Sequence, residues 1–463
     1  VRRFGKDQAK MPVSEQLPNI YGTARWGMID EWRRHKPEFW NVKKAYSPVR
    51  LLKTQVEEFQ PGQPISLPVQ NRFDHTPLDQ VTLAVSYGGK TQETKCPPIA
   101  PHQQGTLELP AADWKAGTEV AVSFLDRSKK VIDDYRIALG IPAKPEAPAL
   151  EGAPEVVEAN GQITIQGEEF AIVIDRATGL IQSIKHGEAS IPFLGPIPHI
   201  FKLEEFHIMG INPDIGSTPS VITKTVSYES PLLDTWKLKG LRIEKKDNAV
   251  AVHVTGSLEA FDVEYTYSIA ANGRMDIGYQ LKNLPPLDTN GKLPRTGEPV
   301  NLEVGIKFRT GDQFDQLHWD KKAYWTSYPE GHLGSAKGSI DLFTTDKPVW
   351  AQKPTQPWNK DVWDFYLMGW PVPEGKLLTY EGSAAKQALR TYTLDDKEAN
   401  LALTVYGDGE TTTARYGQFK DNQYYLYLLD TLDYALKWGN YSANNRPEPN
   451  HQGFARLSFE ELD

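Results

Sequence analysis

Two adjacent carboxylates, Asp30 and Glu31, follow a short apolar stretch near the start of the chain. A pair of carboxyl groups can act as general acid and nucleophile in glycoside hydrolysis, and functional groups of barrel enzymes lie where strands end. The same residues precede Arg33 and Arg34, so a surface charge cluster at the start of a helix explains them equally well. No carboxylate pair is singled out by spacing alone.

The ten histidines show no metal-ligand spacing, and the nearest pair on one segment, His199 and His207, is eight positions apart. We interpret them as core or solvated side chains, and no motif implies a cofactor. The sequence also lacks G-x-S-x-G, H-E-x-x-H and Walker patterns, which leaves serine hydrolase, zincin and nucleotide-binding functions without support.

Aromatic residues are abundant, with 12 Trp and 20 Tyr. Aromatic faces stack on sugars, but they also fill the cores of large β-sandwiches, so this observation permits both interpretations. The net charge of −9 argues against nucleic acid as a partner. The sequence contains no run of 18 apolar residues, so it predicts no membrane-spanning helix. The single cysteine, Cys96, excludes an internal disulfide.

A helix is predicted to begin at Pro37, because proline lacks the backbone N–H that would have no partner in the first turn of a helix. The helix is predicted to end before Ser47-Pro48. Phe39, Val42 and Tyr46 lie on one face of it. The preceding segment WGMIDEW predicts a short buried strand. One strand and one helix cannot bury a core, so we expect that residues 1–52 complete a unit lying mostly outside this chain.

The rest of the chain alternates apolar and polar residues, which predicts strands throughout. Residues 53–140 have the size and strand spacing of an immunoglobulin-like β-sandwich. A Pro- and Ala-rich stretch at 141–155 predicts a linker. Residues 156–463 show no second break and predict one large sandwich, so the expected fold class is mainly β.

Several segments resemble glycoside hydrolase family 2, the β-galactosidase type. RWGMIDEWRRHKPEFWNVKKAYSPV is similar to the last strand and helix of that family's catalytic (β/α)8 barrel. ISLPVQNRFDHTPLDQVTLAVSYGGK is similar to its immunoglobulin-like module, and the segment from Gly161 to Leu203 resembles the start of its galactose-mutarotase-like supersandwich. The resemblance departs from the β-galactosidases at His199–Asn212 and at Leu317–Ser339, which weakens the implied galactose specificity.

The resemblance implies the C-terminal part of a retaining exo-glycosidase that hydrolyses β-linked glycans, with both catalytic glutamates before Val1. This chain would then hold no catalytic residue, and its partners would be a carbohydrate substrate and the N-terminal catalytic portion of the same protein. Trp26, with Asp30 and Glu31, would lie at the edge of the site. Trp438 and Asn440 would belong to a loop that reaches back over it.

Two other functions stay open. One is a carbohydrate-binding or assembly module without turnover. The other is an autonomous supersandwich enzyme, such as an aldose epimerase or a polysaccharide lyase, for which Tyr328–Gly334 (YPEGHLG) is the nearest approach to a polar cluster. Self-association into a homo-oligomer is an expectation from relatives, and a periplasmic or extracellular location is favoured only by analogy.

Overall fold

The computed structural model describes residues 28–29, 33, 35, 37–141, 145–205, 224–227, 234–259, 261–284, 302–322, 328–329, 332, 334–342, 386–418, 423–431 and 450–462. These residues belong to two compact units, Trp26–Pro145 with Ala323–Ser335, and Glu146–Lys322 with Ala336–Asp463. Most of the regular structure is antiparallel sheet, which confirms the mainly β class. The domain boundaries expected from the sequence stay predictions. No helix in the described ranges is long and apolar enough to cross a membrane.

Helix α1 spans Pro37–Ala45 and confirms the helix that the sequence predicts. The helix does not pack through the whole apolar face expected from the sequence, because Tyr46, one of the three residues of that face, is 82% exposed. The buried contact is made by Lys44, whose Nζ lies 2.8 Å from Asp133 Oδ1 and 3.3 Å from the ring centre of Tyr135. An ion pair and a cation–π contact therefore hold the helix on the neighbouring sandwich.

The buried strand expected in WGMIDEW is wrong for the residues that the structure describes. Met28 and Ile29 are exposed, and Ile29 forms a single bridge with His35 instead of a strand. Apolar sequence alone predicts burial only when a neighbouring sheet covers it, and these two side chains lie at the surface of their unit.

Two sheets form the sandwich of the smaller unit. The alternation of apolar and polar residues determines which side chains enter the core of this sandwich. In Ile65–Asn71, for example, every second side chain is buried. One sheet has the order β1-β3-β6 and the other β2-β8-β7-β4-β5, among the described residues. The strands are β1 (Val49–Leu51), β2 (Gln55–Val56), β3 (Ile65–Asn71), β4 (Thr82–Tyr87), β5 (Lys90–Lys95), β6 (Gln104–Leu109), β7 (Glu119–Leu125) and β8 (Val131–Leu139), with a 3-10 turn at Leu78–Gln80.

The NRFD motif after β3 has a structural role. Asn71 is fully buried, and its Nδ2 donates to the carbonyl oxygens of Thr76 and Ile99 at 2.9 Å each. Its Oδ1 accepts the Phe73 N–H at 3.0 Å. One asparagine side chain thus satisfies three backbone groups of a turn that leaves the sheet.

Among the residues of the larger unit that the structure describes, two nine-stranded sheets are formed. The first has the order β24-β25-β19-β13-β12-β11-β10-β9 with β14 beside β13, and the second has the order β15-β16-β17-β18-β26-β23-β22-β20-β21. The strands are β9 (Glu155–Ala159), β10 (Gln162–Gln166), β11 (Phe170–Asp175), β12 (Ile181–His186), β13 (Ala189–Glu205), β14 (Lys224–Ser227), β15 (Lys237–Lys245), β16 (Val250–Ser257), β17 (Asp262–Ile269), β18 (Arg274–Lys282), β19 (Leu302–Thr310), β20 (Gln316–Lys321), β21 (Lys337–Asp341), β22 (Leu389–Asp396), β23 (Leu401–Tyr406), β24 (Thr413–Gln418), β25 (Tyr424–Thr431) and β26 (His451–Glu461).

The two large sheets pack face to face through aromatic side chains. Phe193 of β13 stacks on Phe308 of β19 with ring centres 4.2 Å apart, and its ring also meets Phe459 of β26 edge to face at 5.9 Å. The single large sandwich expected from uninterrupted alternation is therefore confirmed.

Candidate functional site

The second large sheet has an opening beside β26. Strand β23 ends at Tyr406, which pairs with Arg456 of β26. Strand β26 begins five residues earlier, at His451, so its first residues extend beyond the end of β23. Within the described ranges, the first residues of β26 therefore have a neighbouring strand on one side only, namely β18. The space on the other side is a cleft of about 620 Å³ that reaches Leu428, Leu429 and Asp430 of the opposite sheet.

Tyr279 and Asp430 line this opening, and His451 forms a hydrogen bond with Asp430. Asp430 Oδ2 accepts a hydrogen bond from the hydroxyl of Tyr279 and a second one from His451 Nε2, at 2.8 Å. An ionised carboxylate can only accept, so the His451 proton in this bond lies on Nε2. Asp430 lines the cleft and its side chain is 27% exposed, whereas the His451 side chain is 14% exposed and contacts the cleft through Asp430.

Tyr279 is the buried member of this group. Burial raises the pKa of its hydroxyl well above the usual value, and the charge of Asp430 raises it further. The phenol is therefore neutral and donates to Asp430. Its ring lies across Gly453, the residue opposite Tyr279 in the β18–β26 register, and a side chain at Gly453 would overlap both Tyr279 and Asp430.

A loop after β23 closes one end of the cleft. The carboxylate of Asp408 accepts hydrogen bonds from the backbone N–H groups of Glu410, Thr411 and Thr412, as well as from the two threonine hydroxyls. Burial alone would raise the pKa of Asp408, but these donors outweigh it and hold the pKa below the usual value. Asp408 thus fixes the loop instead of offering a base to a ligand.

Phe454 and Arg456 form the outer rim. The Phe454 side chain is 53% exposed, and the Arg456 guanidinium lies 5.3 Å from its ring centre. Arg456 Nε donates to Asp276 Oδ1 at 3.3 Å. The cleft thus combines an apolar platform, a cation and an acid–base group, which are the features of a small polar-ligand site.

The geometry suits a proton exchange between two oxygens bonded to one carbon. Asp430 can take a proton, and His451, whose Nε2 proton is held in the 2.8 Å bond to Asp430, can give one from its other ring nitrogen when that nitrogen is protonated. No group of three His, Cys, Asp or Glu side chains in the part of the chain that the structure describes is placed to hold a metal ion.

All of the site residues named from the sequence, Trp26, Asp30, Glu31, Trp438 and Asn440, lie outside the described residues. The structure brings together Tyr279, Asp430 and His451 instead. Sequence reasoning missed them because Tyr279 continues a core pattern and Asp430 is 151 positions further along the chain. The one signal was a carboxylate directly after an apolar run, near the end of β25.

Tyr328, Pro329, His332 and Gly334 are the described residues of the segment considered above for a lyase, and they belong to the smaller unit. Tyr328 stacks on His332 with ring centres 4.4 Å apart, and His332 is fully buried. The Gly334 N–H donates to His332 Nδ1 at 2.9 Å. These contacts engage the ring face and the Nδ1 of the buried histidine.

A second polar cluster lies across β13, β19, β25 and β24. Lys307 Nζ is 4.1 Å from the Tyr425 ring centre, Arg415 is 4.2 Å from that of Tyr427, and the rings of His199 and Tyr427 meet edge to face at 5.0 Å. These side chains are all more than nine-tenths buried. The cleft beside β26 is therefore the more accessible candidate.

No protein-family model matches this chain, and no curated protein does. Solved structures with a similar arrangement of strands include a putative aldose 1-epimerase from Escherichia coli K12, with TM-score 0.29, 8% identity and coverage of 65% of this chain and 99% of that one. A galactose 1-epimerase from Lactobacillus acidophilus NCFM has TM-score 0.31, 8% identity and coverage of 67% and 98%.

A copper-containing benzylamine oxidase from Hansenula polymorpha matches with TM-score 0.29, 9% identity and coverage of 91% of this chain and 79% of that one. Likenesses at this level assign no activity, and no comparison identifies a glycoside hydrolase of family 2. The function must be inferred from the site itself.

Proposed function

We propose that the larger unit binds a sugar in the cleft beside β26 and interconverts its anomers. The observation that carries this proposal is the Asp430–His451 pair, held at 2.8 Å, because Asp430 lines the opening of the sheet. Anomer interconversion needs a base at the O1 hydroxyl and an acid at the ring oxygen O5. Because both oxygens are bonded to C1, the base and the acid must lie side by side, as these two residues do.

In the proposed reaction, Asp430 takes the proton of the O1 hydroxyl while the C1–O5 bond breaks. The imidazolium of His451 gives its Nδ1 proton to O5 and keeps its Nε2 proton, which leaves an open-chain aldehyde and a neutral imidazole. After rotation about C1–C2, the aldehyde closes from its other face by the reverse transfers, and both residues regain their starting protonation states. Tyr279 acts as a positioning residue, because its hydroxyl holds Asp430 Oδ2.

The direct test is the rate at which freshly dissolved α-D-galactose reaches anomeric equilibrium, followed by polarimetry. The wild-type chain should exceed the buffer rate, and Asp430→Asn and His451→Gln should each lower the excess about 100-fold, the usual contribution of a general acid or base. Asp262→Asn is the matched control, because Asp262 is a partly exposed carboxylate of β17 that pairs with Lys239. A wild-type rate equal to buffer, or full activity of Asp430→Asn, would refute the proposal.

As a second candidate, we propose that the chain belongs to a retaining glycosidase of the family 2 type, with its two glutamates outside residues 1–463. Helix α1 supports this candidate, because it forms where the resemblance places the last barrel helix and is bound to the adjacent sandwich through Lys44. The test is hydrolysis of β-galactosides by a longer product that includes the barrel. Activity that persists when both upstream glutamates are replaced by glutamine would contradict it.

A further inference from the structure

The second large sheet carries a histidine that has a hydrogen-bond partner on each ring nitrogen. His253 of β16 has its Nε2 3.3 Å from Glu244 Oε2 and its Nδ1 3.3 Å from the Thr266 hydroxyl oxygen. The residues that alternate with them, such as Val254 and Tyr265, are buried in the core. Because successive side chains point to opposite faces of a sheet, these three polar groups lie on the outer face, which points away from the core.

The hydrogen bonds assign a role to each nitrogen of the His253 ring. Arg242 donates to the same Glu244 Oε2 at 2.9 Å, and the bonds from Arg242 first and His253 second lower the pKa of the Glu244 carboxyl. An ionised carboxylate can only accept, so Nε2 of His253 carries a proton. In the neutral imidazole, Nδ1 then accepts a hydrogen bond from the Thr266 hydroxyl. A carboxylate, an imidazole and a hydroxyl in this order activate the hydroxyl as a nucleophile.

Space for a substrate lies on the other side of Thr266. Its cross-strand neighbour on β18 is Gly278, and a Cβ at Gly278 would have no other atom within 4 Å. Beyond Gly278, the next residue across the sheet is Phe454 of β26, which is exposed. Four neighbouring strands thus present one row of residues, in the order His253, Thr266, Gly278 and Phe454. The row places a base, a hydroxyl, an open space and an apolar ring side by side.

We propose that Thr266 and His253, with Glu244 as a positioning residue, form a second catalytic site that hydrolyses short-chain carboxylic esters. Thr266 Oγ1 attacks the ester carbonyl carbon while its proton passes to His253 Nδ1. The C–O bond to the leaving alkoxide breaks, and the imidazolium gives this proton to the alkoxide oxygen. Water then gives a proton to the same nitrogen and attacks the acyl-threonine, and the imidazolium returns that proton to Thr266 Oγ1. This activity goes beyond the proposed sugar function, because the site lies on the opposite face of the sheet from Tyr279.

The test is hydrolysis of p-nitrophenyl acetate, with the acetylated residue identified by mass spectrometry after an acid quench. The wild-type chain should exceed the buffer rate and carry an acetyl group on Thr266. His253→Gln should lower the excess about 100-fold, the usual contribution of a general base. Thr266→Ala should abolish the acetyl label and most of the excess rate, whereas Thr266→Ser should retain both. Glu244→Gln should lower kcat about tenfold at unchanged KM, and Glu244→Asp should restore part of this loss.

Ser268→Ala is the matched control, because Ser268 is a half-buried hydroxyl residue on the same face of β17, two positions from Thr266. Thr266→Val, which keeps the branched shape without the hydroxyl, repeats the test of Thr266→Ala, and urea denaturation verifies that each variant folds. A wild-type rate equal to buffer, an acetyl group found only on other residues, or full activity of Thr266→Ala and Thr266→Val would overturn this inference. The anomer assay of the cleft is a separate measurement, so either proposal can fail alone.

Discussion

Gly453 lies directly opposite Tyr279 in the antiparallel register of β26 and β18, and the tyrosine ring occupies the space that a side chain at Gly453 would need. This relationship lets the tyrosine hydroxyl reach across to Asp430 on the opposite sheet. One missing Cβ on β26 therefore sets the position of the acid–base pair.

Gly453→Ala should displace Tyr279 and Asp430 together. Overpacking in a core costs about 1–3 kcal/mol, and we expect a loss of that size in the free energy of unfolding along with most of the sugar-dependent activity. Urea denaturation and the anomer assay measure the two effects. Gly278→Ala, on the neighbouring strand, is the control, because a Cβ there meets open space. Equal behaviour of the two variants would contradict the packing argument.

Asp133→Ala should destabilise the smaller unit by about 3 kcal/mol, because it leaves the Lys44 ammonium buried without its carboxylate. Burial lowers the pKa of Lys44, and Asp133 opposes that shift. Replacing Lys44 with Met in the Asp133→Ala background should recover part of the loss. Chemical denaturation monitored by tryptophan fluorescence provides the measurement.

The matched control for this ion pair is Asp134→Ala, which removes an exposed carboxylate 3.9 Å from Lys43. Surface ion pairs contribute about 0–1 kcal/mol, so Asp134→Ala should change the stability little. If both alanine variants lose the same stability, Lys44 does not hold helix α1 in the way the structure indicates.

Lys386 should make the stability of the larger unit depend on pH. Its Nζ lies 4.4 Å from the Trp319 ring centre, and burial, reinforced by the charge of Lys321, lowers its pKa to about 7. The unfolded chain has the higher pKa and binds more protons between pH 7 and 10.5. Stability should therefore rise with pH across this window, by about 1.4 kcal/mol per pH unit at most.

Lys386→Met should be more stable than the wild-type chain near pH 6 and should lose this rise with pH. Urea denaturation at pH 6, 7, 8 and 9 compares the two proteins, with Lys239→Met, an exposed lysine of β15, as the control. Parallel stability profiles for the wild-type chain and Lys386→Met would show that Lys386 titrates normally.

Asn71→Ala should destabilise the smaller unit by about 2–4 kcal/mol, because it leaves two carbonyl oxygens and one N–H without the partner they have now. The preceding residue, Gln70, is only half-buried, so Gln70→Ala should stay within about 0.5 kcal/mol. Thermal unfolding of the two variants distinguishes the outcomes. A small loss for Asn71→Ala would mean that water replaces the amide.

Local patterns in the sequence determined the secondary structure. The proline at position 37 predicts where helix α1 begins, and the alternation in Ile65–Asn71 and Val263–Ile269 predicts strands with one buried face. These signals succeed because helix starts and strand faces depend on residues a few positions apart. The same reasoning failed for Met28 and Ile29, whose burial depends on what covers them.

Only the tertiary structure decided where the candidate site lies. Alternation assigns Tyr279 to the buried face of its strand, but it does not reveal that β26 pairs between β18 and β23, or that Asp430 faces the opening left beyond Tyr406. Strand order is selected by the packing of whole sheets, through contacts between residues far apart along the chain, such as Tyr279 and Asp430 at 151 positions. The sequence by itself thus determined the faces of the strands, whereas long-range pairing determined which side chains meet in the cleft.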